Sequence, residues 1–153
     1  MLTIQEKIMK RTLAMILLGF IILSSLGCKK KPVAIKGQER EAVLAYANPI
    51  ADNILQALNE GNHVNYIRDF DETARNAAPE NVFKQTRDLI ISKIGKYVSR
   101  EVSRVYKKDQ YIVVLYRGKF ENEERVRIRV IFQKIGDKNL VSGLWFNSPK
   151  LRK

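Results

Sequence analysis

The spacing of apolar residues changes period once along this chain, near Gly95, and that change restricts the fold more than any other feature. From Glu39 to Glu60 the apolar residues fall at Val43, Leu44, Ala47, Ile50, Ala51, Ile54, Leu55 and Leu58. That is one stripe of a helix. Pro49 inside it is expected to kink or restart the helix, and Gly61-Asn62 to end it, because both tolerate the left-handed turn. A second, shorter helix is expected over Val64 to Ala77, carrying Tyr66, Ile67 and Phe70. Pro79 suits the first turn of a third, which runs to Ile94 with Val82, Phe83, Leu89, Ile90 and Ile94 inward. After Gly95 the period falls to two. Tyr97 to Tyr106, Gln110 to Gly118, Arg125 to Lys134 and Asn139 to Phe146 read as strands. Val126, Ile128, Val130 and Phe132 alternate with Arg125, Arg127 and Arg129, which marks a sheet with one solvated face. Helices followed by hairpin-connected strands predict an α+β domain.

The N-terminal segment has a different character. Leu13 through Leu23 is apolar and uncharged, Lys7, Lys10 and Arg11 precede it, and Ser24, Ser25 and Gly27 lead to Cys28, the single cysteine. A basic start, an apolar stretch and small residues are the parts of an export signal. Met9-Lys10-Arg11 reads as a natural start. Ser25-Leu26-Gly27-Cys28 resembles a bacterial lipobox, matching in Gly27-Cys28 and departing at Ser25 and Leu26. The resemblance implies that Cys28 receives a diacylglyceryl group and becomes the first mature residue. Two other readings compete: an uncleaved anchor, although the stretch is shorter than the roughly 20 residues a spanning helix prefers, and an incidental thiol in an ordinary signal. The expected organisation is a signal peptide over 1–27, a lipidated basic tether over 28–38 and one domain over 39–153. Lys29-Lys30-Lys31 beside a lipid adds attraction to anionic headgroups; a solvated tether accounts for it equally well.

The full chain carries a net charge of +12. Lys7, Lys10, Arg11 and Glu6 make the first 27 residues +2, so the remainder is +10. In the cytoplasm that balance would suggest nucleic acid. Export argues against nucleic acid and leaves anionic lipid headgroups or anionic envelope polymers as counterparts. Positive surplus also serves solubility alone. With its one cysteine at the expected cut, the mature domain has no disulfide and no thiol metal site.

Ile94-Gly95-Lys96-Tyr97, Gly118-Lys119-Phe120-Glu121, Val130-Ile131-Phe132 and the run from Ser142 to Pro149 are similar to recurring segments of a bacterial domain family of unknown function, number 3887. The similarity covers roughly Glu41 to Leu151. The element order resembles the nuclear-transport-factor-2-like, or cystatin-like, cone. That resemblance implies three N-terminal helices packed on a curled four-stranded antiparallel sheet. It implies no shared catalytic set and no cofactor. Gly143 lies between apolar strand residues, where a bulge or bend would curl the sheet. Trp145 and Phe146 should face opposite ways, and Pro149 should stop the ladder.

Three groups of side chains are candidates for function. The cone resemblance implies a ligand pocket at the open end of the sheet, with Tyr66, Phe70, Asp71, Phe120 and Trp145 as its candidate lining. Tyr66 or Asp71 would be the acid–base residue if the pocket were catalytic, although Asp69, Asp71 and Glu72 read equally as solvated helix carboxylates. Arg125, Arg127 and Arg129 form a period-two row that could hold an anion, extended by Arg100 and Arg104 and partly neutralised by Glu121, Glu123 and Glu124; a solvated face that discourages edge pairing accounts for it too. His63, the lone histidine, falls in a turn and lacks the companions a zinc site needs. No phosphate-binding glycine loop, nucleophile elbow or metal-binding helix motif is present. The chain therefore reads as an exported, lipid-anchored protein on the extracytoplasmic side of a bacterial membrane, with a non-catalytic domain for a small apolar ligand or an envelope protein partner. A small enzyme and an adaptor for anionic envelope polymers are the alternatives.

Overall fold

The computed structural model describes residues 31–152. The expected signal peptide and Cys28 lie outside the described residues. The described residues open with a two-residue strand β1 (Val33–Ala34), then four helices: α1 (Gly37–Glu60), α2 (His63–Tyr66), α3 (Glu72–Asn76) and α4 (Glu80–Ile94). Four long strands follow, β2 (Tyr97–Lys108), β3 (Tyr111–Phe120), β4 (Glu123–Ile135) and β5 (Lys138–Asn147), and a 3₁₀ turn Lys150–Arg152 ends the described residues. The strands form one antiparallel sheet in the order β1-β2-β3-β4-β5.

The α+β class stands, but the expected cone does not. Among the described residues the sheet has five strands rather than four, there are four α-helices rather than three, and the helical elements do not all precede the sheet. The extra strand, β1, comes before every helix of the described residues and lies inside the segment expected as tether. Val33 and Ala34 pair with Lys107 and Tyr106, and the Ile35 N–H donates to the Val105 carbonyl at 3.0 Å. Two residues are too few to display a period, so only their pairing identifies them. The expected second helix is two short helices because the chain between them leaves the helical path. Phe70 forms an isolated parallel bridge with Val141: the Asp71 N–H donates to the Val141 carbonyl at 2.9 Å, and the Val141 N–H to the Asp69 carbonyl at 2.8 Å. These two additions cover part of each outer edge of the sheet, edges that would otherwise present unpaired backbone groups.

The core lies between the helices and one face of the sheet. Helix α1 runs unbroken through Pro49 and buries Val43, Leu44, Ala47, Ala51, Ile54, Leu55 and Leu58. Gly61 ends it in a left-handed conformation, φ 73°. Arg87 on α4 donates from Nε to the Leu58 carbonyl at 3.0 Å and from Nη2 to the Asn59 carbonyl at 3.2 Å. It thereby satisfies carbonyls that a helix end leaves without partners. With Arg87 so engaged, the apolar face of α4 is narrow: Phe83, Ile90 and Ile94 are buried, whereas Val82 and Leu89, expected inward, are exposed.

The sheet face opposite them is equally regular. Val126, Ile128, Val130 and Phe132 of β4 are each at most 1% exposed, and Val114, Tyr116 and Phe120 of β3 are buried beside them. Pairing slips between Val102 and Arg104, between Gly118 and Phe120, and on β5 at Ser142, next to Gly143. Such bulges bend and twist their strands.

A basic trough on the outer face of the sheet as the candidate site

The pairing register places Arg125, Arg127 and Arg129 on the face of β4 turned away from the helices. Arg127 lies directly opposite Arg117 on β3 and Asn147 on β5; Arg129 lies opposite Leu115 and Trp145. Alternate residues of one strand stand about 6.8 Å apart, twice the antiparallel rise. The three arginines thus make a regular row about 14 Å long.

The row lines real hollows. One, of about 450 Å³, is bounded by Leu115, Arg117, Arg125, Arg127, Asn147, Ser148 and Arg152, among others. A second, of about 340 Å³, is bounded by Tyr106, Leu115, Arg127, Arg129, Trp145, Phe146 and Asn147. Leu115, Arg127 and Asn147 line both, so the two hollows adjoin along the row with Arg127 between them, and together they make up a basic trough. The C-terminal segment builds one wall. Beyond Pro149 the chain turns over the end of the sheet, where Ser148 Oγ accepts the Leu151 N–H at 3.3 Å and Arg152 comes up beside Arg125.

The electrostatics of the trough are one-sided. Arg117 pairs with Glu101 at 2.5 Å and Lys119 with Glu124 at 3.5 Å. Arg125, Arg127 and Arg129 form no ion pair among the described residues. The neighbouring glutamates expected to neutralise the row are engaged elsewhere or leave it unpaired: Glu121 Oε2 accepts the Lys96 N–H at 2.8 Å. Like charges directly across a strand pair are destabilising, so the Arg127–Arg117 opposition is a cost only partly relieved by Glu101.

Trp145 is the aromatic member. It is 46% exposed, and the Arg129 guanidinium lies over its ring, 4.5 Å from the centroid. Its neighbour Phe146 turns inward and meets Phe120 edge-on at 6.4 Å. Gly143 fixes the tryptophan's position, because the indole lies where a β-carbon on Gly143 would stand.

Arg100, expected as part of this row, is on the other side of the sheet. The bulge at Val102–Arg104 inserts a residue, so Arg100 and Arg104 share parity in sequence but not a face. Arg104 is exposed on the outer face. Arg100 reaches the helix side, donating to Asp52 at 2.9 and 2.8 Å, to Asn48 Oδ1 at 3.1 Å and to the Asn48 carbonyl at 2.9 Å. Its guanidinium lies 4.4 Å from the Tyr116 ring centroid.

The five residues grouped as a pocket do not converge. Tyr66 packs in an aromatic cluster with Phe70 and Phe83, at 5.3 and 4.7 Å. Burial pushes the Tyr66 hydroxyl up to about 12, far from a poised acid or base. Asp71 is buried and fully employed: Oδ1 caps α3 by accepting the Ala74 N–H at 2.8 Å, and Oδ2 accepts from the Ser142 hydroxyl. Phe120 lies in the core at the other end of the sheet, beside Tyr97. Trp145 is on the opposite face altogether. His63 is neither exposed nor free. Its Nε2–H donates to the Ala78 carbonyl at 2.8 Å, and its ring packs on Phe83 at 5.5 Å. No group of three or more His, Cys, Asp or Glu side chains converges among the described residues.

A family model described as "Protein of unknown function (DUF3887)" matches residues 51–142. The chain belongs to that family. The match runs from the middle of α1 into β5 and includes Arg117, Arg125, Arg127 and Arg129; Trp145 and the C-terminal wall of the trough lie beyond it. No curated protein matches the chain.

Sequence reasoning found the row but missed its surroundings. Arg117 and Leu115 come from the next strand, and Asn147, Ser148 and Arg152 from the C-terminus. The only available signal was the period-two placement of Arg117 on β3, readable as outward-facing beside Val114 and Tyr116.

Proposed function

We propose that this chain is a lipid-anchored bacterial envelope protein whose domain is a non-catalytic binding module, and that its binding surface is the arginine trough, which takes an anionic envelope polymer. The observation that carries the proposal is the combination of a hollow at Arg127 with three arginines that no carboxylate neutralises. A basic face kept only for solubility has no need of a recess, nor of two arginines set opposite one another. Arginine presents a planar fork that binds phosphate or carboxylate oxygens in pairs. A row with a repeat of about 6.8 Å suits an extended polymer with an anionic group in each unit. Trp145 adds an apolar surface for the backbone of such a polymer. The anchoring half of the proposal rests on the export-signal pattern ending at Cys28.

The test is retention of the full-length protein on immobilised poly(glycerol phosphate) across a salt series. With three arginines contacting a flexible polyanion, the logarithm of the binding constant should fall with log salt at a slope of about −2. R127Q should lower that slope by about 0.7, and R127E should abolish retention. Retention that ignores salt, or survives R127E unchanged, sinks the proposal.

A further inference from the structure

The β2–β3 and β4–β5 hairpins lie at the same end of the sheet, because Lys108 pairs with Tyr111, Tyr111 with Gln133 and Ile135 with Lys138. The N-terminal segment arrives there too, since Val33 pairs with Lys107. Lys31, Lys107, Lys108, Lys134 and Lys138 are all exposed at this end, against Asp109 and Asp137. None of the five lysines forms an ion pair among the described residues. Two large apolar side chains are exposed among them, Val33 at 66% and Ile135 at 47%. From β1 to β4 is three strand spacings, about 14 Å, so these form a basic patch with an apolar residue towards each side.

We propose that this hairpin end is a membrane-contact surface that rests on an anionic bilayer, with the lysines at the headgroups and Ile135 and Val33 dipping into the interface. The inference rests on the lipid-anchored reading and adds to it an orientation and a lipid class. Four residues lie between Cys28 and Val33, and the five residue steps from one to the other span at most about 18 Å when fully extended. Because β1 is fixed to the edge of β2, an acylated Cys28 would hold this end of the domain close to the bilayer. Lysines within a Debye length of an anionic leaflet are attracted to it. Apolar side chains among basic ones are the composition of an interfacial contact. Arg127 lies eight residues along β4 from Ile135, about 27 Å at the strand rise. Arg127, between the two hollows of the trough, therefore stands clear of the bilayer, turned towards whatever lies beyond it.

The test uses the acylated mature protein purified from membranes, bound to vesicles whose lipids carry brominated acyl chains, which quench tryptophan on contact. In a W145F background, I135W should lose more than half its emission on vesicles containing phosphatidylglycerol. V98W, placed at the opposite end of the sheet, should lose almost none. Quenching of I135W should disappear when Lys107, Lys108, Lys134 and Lys138 are all changed to Glu, while the protein stays on the vesicles through its lipid. Protein that does not bind vesicles overturns the anchored reading and the inference with it. Bound protein in which I135W is unquenched, or V98W is quenched equally, overturns the orientation alone.

Discussion

Replacing Arg100 with alanine should destabilise the domain by about 3 kcal/mol, and most of that loss should not come from its salt bridge. The side chain of Arg100 is only 8% exposed, but that of its partner Asp52 is 55% exposed. An ion pair with one member in water contributes about 0.2–1 kcal/mol. The larger part comes from the buried side of the contact. The Asn48 carbonyl and its Oδ1 each accept from the guanidinium, and hydrogen bonds to a charged group contribute about 1.5–3 kcal/mol each. The Tyr116 ring beneath the cation adds about 1 kcal/mol. These terms share one side chain and do not add fully, which brings the total to about 3 kcal/mol. In urea, with a slope of about 2 kcal/mol per molar, the unfolding midpoint of R100A should fall by about 1.5 M. D52A should fall by less than about 0.5 M. R100K should lie between, because an ammonium keeps the charge but not the fork. If D52A costs as much as R100A, or R100A costs under about 1 kcal/mol, the attribution to Asn48 and Tyr116 is wrong.

Three further outcomes follow from named contacts. In G143A the new β-carbon meets the Trp145 ring, so the indole should swing outward and its emission shift to the red, with a stability loss of about 1 kcal/mol; unchanged emission would contradict the packing. Tyr66 is pushed to about 12 and Tyr116 is also raised, both chiefly by burial. The folded state therefore keeps protons that the unfolded chain releases above about pH 10. The stabilisation is fully present below that pH and should be lost as pH rises towards 12, by up to about 1.4 kcal/mol per pH unit for each tyrosine. Y66F should flatten that decline in urea midpoints, and an equal slope in the variant would refute the assignment. Cys28→Ser should abolish both membrane fractionation and incorporation of a palmitate analogue; incorporation that persists would remove Cys28 as the lipidation site.

What was legible in the sequence is what short-range periodicity encodes. The α1 stripe from Val43 to Leu58, the stop at Gly61, the release at Gly95 and the alternation of β4 all depend on neighbours within a turn or two. The unreadable parts depend on distant partners. Strand β1 exists only because Lys107 and Tyr106 accept it as a neighbour. The break between α2 and α3 exists because Phe70 meets Val141. Arg100 was misplaced because a single inserted residue at the Val102–Arg104 bulge reverses which parity faces the helices. The residues that the cone resemblance groups as a pocket are separated by tertiary packing in the same way: Tyr66, Phe70 and Asp71 stay near one another, Phe120 lies at the other end of the core, and Trp145 is on the opposite face of the sheet. The arginine row survived because its placement needs only the period of one strand. Its recess needed Asn147, Ser148 and Arg152, whose approach no local pattern announces.

Trp145 is the only tryptophan in the chain, and it lies in the trough, so its fluorescence reports directly on the central claim. Titration of the full-length protein with poly(glycerol phosphate) should change that emission saturably, with an apparent affinity that weakens as salt rises and a response that vanishes in R127E. A polymer that binds without moving Trp145 emission, or moves it equally in R127E, would place the binding surface somewhere other than the arginine trough.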